Sequence, residues 1–60
     1  MDYLTVDKIR RRVEFSISPY TAAIASDGMT VERIQQFIAK NYTPSDLQLT
    51  RWANALGVRL

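Results

Sequence analysis

Sixty residues carrying eight basic and six acidic side chains, net +2, make one small and weakly basic domain. The chain has no cysteine and no histidine, which excludes disulfides, thiolate metal sites and the commonest general base. Folding at this size buries only about 60% of the surface that the unfolded chain exposes, so stability must come from tight helix packing or oligomerisation.

No apolar run is long enough to cross a membrane. Met1-Asp2-Tyr3-Leu4 lacks the basic region and apolar stretch of a secretory signal, so a cytoplasmic protein is expected. Residues 1–30 balance four basic against four acidic side chains, and residues 31–60 carry four against two. Any basic footprint is therefore local.

The first predicted helix covers about 5–15. Val6, Ile9 and Val13 share one face, and Asp2 or Thr5 caps the start. Lys8, Arg10, Arg11 and Arg12 form a charge run that reads as a solvated face. Ser18-Pro19 is a cap-and-proline start for a second, thin helix over 19–26, ended by Asp27-Gly28. Thr30 caps a third helix over 30–39, with Glu32 in its first turn. Val31, Ile34, Phe37 and Ile38 make its apolar face, while Glu32, Arg33, Gln35, Gln36 and Lys40 make its polar face. Thr43-Pro44 opens the fourth helix, over 45–56. Leu49, Trp52, Ala53 and Leu56 form its core stripe, and Gly57 stops it. Ile38 and Leu47 fall off the best core stripes. No segment alternates with the period of a strand, so the fold class is all-α with four helices.

The short second helix, the turn containing Gly28 and the longer third helix have the order of a helix-turn-helix. In that motif the second helix of the pair enters the major groove. The side chains suit it: glutamine pairs bidentately with adenine, arginine with guanine, and glutamate accepts from cytosine N4. No enzyme is expected, because the carboxylates are scattered and the chain is too short for a deep cleft.

The stretch from Gly28 to Val58 resembles the lambda-repressor-like (Cro/C1, XRE-type) helix-turn-helix family. The matching pieces are Gly28-Met29-Thr30, Ile34 and Phe37, Pro44-Ser45, and Ala53-Asn54-Ala55-Leu56-Gly57-Val58, in one ungapped register. The resemblance implies a compact four-helix DNA-binding domain of a transcriptional regulator, a Cro-like repressor of phage or bacterial type. It implies base contacts from Val31, Glu32, Gln35 and Gln36. It implies DNA-backbone contacts from Tyr20, Thr30, Arg33, Lys40, Asn41, Tyr42 and Thr43. Double-stranded DNA is the implied partner, with no cofactor, metal or small-molecule substrate. A homodimer would read a palindromic operator with half-sites roughly 34 Å apart. A protein-interaction module on the same scaffold (adaptor, inhibitor or antitoxin-like) is the alternative.

Three positions depart from the family pattern. Ile24 stands where the family has a small alanine, and Ala23 where it has a larger aliphatic, which predicts a rotated or slipped second helix. Lys40 stands where a glycine often follows the third helix. Asn41 tolerates a left-handed backbone better than lysine, so the turn is expected to shift by one residue.

Overall fold

The computed structural model describes residues 1–26 and 28–60, and among them the chain is all-α, with four helices and no strand. They are α1 (Tyr3–Ser16), α2 (Ser18–Ser26), α3 (Val31–Ile38) and α4 (Asp46–Leu56). None is long and apolar enough to cross a membrane.

α1 starts before the predicted Thr5 because Asp2 is the residue that caps it, accepting from the Thr5 amide at 2.8 Å. Thr30 caps α3 as predicted, accepting from the Arg33 amide at 3.1 Å. α4 is capped by Ser45 and not by Thr43: Ser45 Oγ accepts from the Gln48 amide at 3.2 Å, and Pro44 is buried ahead of the helix. Gly57 ends α4 at φ 74°, in the left-handed conformation that glycine adopts most readily.

The expected shift of the turn after α3 does not occur. Lys40 itself is left-handed, at φ 67°. The amide of Lys40 donates to Phe37 O at 3.0 Å and that of Asn41 to Gln36 O at 2.8 Å. This is the paired bonding of a Schellman end, which holds the lysine in place against its steric preference.

α2 departs furthest from expectation. Ser18 and every residue from Tyr20 to Ser26 have φ between 48° and 62°, so the segment winds left-handed. Ser18 is therefore not an extended N-cap, and Pro19, at φ −43° and ψ 97°, does not begin a right-handed turn. No residue of the segment is glycine or asparagine, and nothing in its local sequence asks for this hand. The conformation costs L residues roughly 1–2 kcal/mol each. The segment is held by Ile24 in the core, by half-buried Tyr20 and Ala23 against it, and by a Thr21 N–Ile17 O bond of 2.6 Å. Of the pair that departs from the family order, Ile24 is the buried member. Gly28 is left-handed at φ 71°, and the Asp27 half of the predicted stop lies outside the described residues.

The core is Ile9 and Val13 of α1, Ile24 of α2, Ile34 and Phe37 of α3, and Leu49, Trp52, Ala53 and Leu56 of α4. Phe37 and Trp52 meet edge to face with ring centroids 5.6 Å apart, a geometry worth about 0.5–1.5 kcal/mol beyond burial. Val6 and Ile38 pack half-buried on the rim, and Leu47 stays exposed.

Candidate nucleic-acid interface

α3 is seated from behind and bare in front. Its inner face buries Ile34 and Phe37. Its outer face presents Glu32, Gln35 and Gln36 to solvent, and none of these side chains has a hydrogen bond or ion pair among the described residues. At about 100° per residue, Glu32 and Gln36 lie nearest the middle of that face, with Gln35 to one side and Arg33 to the other. Val31 is half-buried on the flank, so it is less accessible than the base-contact role implies.

The positions expected on the DNA backbone divide into two groups. Lys40, Asn41 and Thr43 are exposed directly after α3. Arg33 is exposed and held with its guanidinium carbon 5.0 Å from the centroid of the half-buried Tyr42 ring. That contact points the charge without burying it. Thr30 and Tyr20 are more constrained. The Thr30 hydroxyl oxygen is engaged in capping, although its exposed side chain still has a hydroxyl proton to donate. Tyr20 is half-buried against the core, and no hydrogen bond joins it to the α3 group among the described residues.

The residue that sequence reasoning missed is Arg10. It is 7% exposed and not part of a solvated face. Its Nε donates to the Phe37 carbonyl at 2.9 Å, its Nη1 to Asp7 at 3.1 Å, and its guanidinium carbon lies 4.9 Å from the Phe37 ring centroid. A cation at the C-terminal end of α3 also complements the helix dipole. Arg10 thus fixes the position of α3 from the α1 side. The signal was present, because Arg10 is four residues after Val6 and three before Val13, on the same flank as both. Lys8 and Arg12 do the same for the C-terminal region: Lys8 Nζ donates to Arg59 O at 2.9 Å and Arg12 Nε to Leu56 O at 3.2 Å. Of the four-residue charge run only Arg10 is buried; Lys8, Arg11 and Arg12 stay exposed, Arg11 with 75% of its side chain in solvent.

No group of three or more acidic side chains is placed to hold a metal ion among the described residues. No family model matches the chain, and neither a curated protein nor a solved structure matches it.

Proposed function

We propose that this chain is a helix-turn-helix domain that reads duplex DNA, with α3 in the major groove, in a transcriptional regulator of the Cro or repressor type. One observation carries the reading. Glu32, Gln35 and Gln36 form an exposed, unengaged row of directional hydrogen-bonding groups on a helix anchored from behind by Arg10, Phe37 and Trp52. The eight residues of α3 rise about 12 Å, a length that the major groove accommodates.

In this reading Gln36 and Gln35 pair with adenine N6 and N7, and Glu32 accepts from cytosine N4. Lys40, Asn41, Thr43 and Arg33 meet phosphates and set the register without reading sequence. The weak overall charge is compatible with a few phosphate contacts and a modest salt dependence.

The test is selection from a random duplex library, followed by gel shifts at two salt concentrations. Gln36→Ala and Glu32→Ala should change the selected sequence. Lys40→Ala should weaken binding to every sequence and reduce the salt slope by about one unit. Identical selections by the wild type and Gln36→Ala would remove the base-reading role. No shift at low salt with folded protein would remove DNA binding itself.

A further inference from the structure

A second charged surface lies on the side of α1 away from α3. Arg10 and Arg12 are two residues apart, so they leave α1 about 160° apart around its axis. Arg10 reaches the end of α3, whereas Arg12 and Lys8 reach Leu56 and Arg59. Between α1 and this C-terminal segment runs an open groove of about 550 Å³, lined by Lys8, Arg11, Arg12, Phe15, Val58 and Arg59. Four cations face it and no carboxylate lines it among the described residues. Asp7 stands behind the lining, its Oδ2 3.5 Å from Arg11 Nε and its side chain 24% exposed.

Two features make this more than a solvated charge run. Lys8 and Arg12 are already fixed by bonds to backbone carbonyls, and each keeps further N–H donors free of those bonds. Little side-chain freedom is left for a ligand to remove. The cations also share a stripe with exposed apolar side chains. Leu4 is 76% and Phe15 78% exposed, and with Lys8 and Arg11 they recur at i, i+4, i+7 and i+11 over about 16 Å. These four side chains share one face of α1, apolar at its ends and cationic between them, which an amphipathic helix with matching apolar and acidic positions would cover. Leu4 lies one turn before the lining, and the aliphatic Leu4 and Val58 suit a polypeptide's apolar side chains better than phosphate, whereas the Phe15 ring is a surface on which a base of a single strand would stack.

We infer that this groove docks an acidic amphipathic helix of a protein partner. Its apolar side chains would cover Leu4 and Phe15, and its carboxylates would meet Lys8, Arg11, Arg12 and Arg59. The inference does not depend on DNA binding by α3, because the two surfaces lie on different sides of α1.

The experiment uses a fluorescein-labelled peptide of about four helical turns, with leucines at i, i+3, i+4 and i+7 and glutamates flanking them. Anisotropy gives its affinity and amide NMR shifts give its site. The expected result is saturable binding with shifts confined to α1 and residues 57–59. Phe15→Ser should weaken it about tenfold, as should the double reversal Arg11→Glu with Arg59→Glu. All three positions are exposed, and thermal melts check that the variants fold. A lysine-for-glutamate version of the peptide should bind the charge-reversed variant more tightly than the wild type, since the reversal leaves two cations and two carboxylates in the lining.

Four results would overturn the inference. The first is no shift in the groove. The second is equal binding of a peptide with the same composition and scrambled leucines, which would leave charge alone as the cause. The third is tighter binding of a single-stranded oligonucleotide, unaffected by Phe15→Ser. The fourth is self-association of the wild type that the charge reversal abolishes, which would make a second copy the occupant.

Discussion

Removing Arg10 tests whether α3 is held from behind as described. Arg10→Ala loses a charge-assisted hydrogen bond to Phe37 O, worth about 1.5–3 kcal/mol. It also loses the cation–π contact with the Phe37 ring, about 0.5–2 kcal/mol. The Asp7 partner adds less than about 1 kcal/mol, because that carboxylate is partly solvated. Relief of guanidinium burial opposes these losses by an amount of similar order. The Phe37 carbonyl is not orphaned, since it keeps the Lys40 amide at 3.0 Å. The loss of the packed aliphatic stem brings the net cost of Arg10→Ala to about 2–3 kcal/mol. Arg10→Met keeps the stem and buries no charge, so its cost should be only about 1 kcal/mol. Urea titration measures both, with the midpoint falling at unchanged slope. For a domain of this size the alanine variant should also melt roughly 10–20 °C lower. Arg11→Ala is the control and should move stability by less than about 0.5 kcal/mol. If Arg10→Ala is as mild as Arg11→Ala, Arg10 is solvated and α3 is not fixed through it.

Three further outcomes follow from the backbone and the caps. Ala22 and Ala25 are exposed and left-handed, so changing either to glycine should stabilise the fold by about 1 kcal/mol; a loss of similar size in thermal melts would mean that α2 is right-handed. Lys40→Gly should stabilise by about 1 kcal/mol through its left-handed φ while weakening DNA binding, and an unchanged melt would sink the strained-lysine account. Hydrogen bonds from Thr5, side chain first and backbone amide second, hold the Asp2 carboxyl below its ordinary value. A lowered folded pKa contributes stability that is present above the unfolded value and lost as pH falls through the folded one, so Asp2→Asn should flatten the acid limb of the stability profile; an unaltered limb in urea titrations across that range refutes the cap.

The core and two of the four starts were legible because they rest on local chemistry. Ile9, Val13, Ile34, Phe37, Leu49, Trp52 and Leu56 announce themselves by helical spacing, and Thr30 by a side chain that reaches its own helix. Ser45 was hidden by Thr43-Pro44, an equally good local start, and burial of Pro44 ahead of the helix decided between them. Arg10 was hidden for a different reason. Its spacing from Val6 and Val13 places it on the flank of the core face, but its partner carbonyl is 27 residues away, and nothing within α1 reports that bond. The hand of α2 was not legible at all, since alanine, isoleucine and tyrosine carry no local preference for positive φ. Within the candidate interface, the exposure of Glu32, Gln35 and Gln36 was legible from the apolar residues opposite them. The half-burial of Val31 depends on the α3 flank meeting its neighbours.

The bonds from α1 to distant carbonyls also bear on how the chain is made. Lys8, Arg10 and Arg12 reach residues 51, 27 and 44 positions further on. During synthesis at about 5–20 residues per second, α1 leaves the ribosome seconds before two of those three carbonyls exist outside the exit tunnel. Until then Val6, Ile9 and Val13 have only α2 and α3 to close on, and Lys8 and Arg12 lack their native carbonyls. The full set of α1 contacts therefore closes only once the C-terminal segment is free. A pause placed once α3 has left the tunnel should leave α1 closed on α2 and α3 alone, in a nascent chain more open to protease than the finished domain.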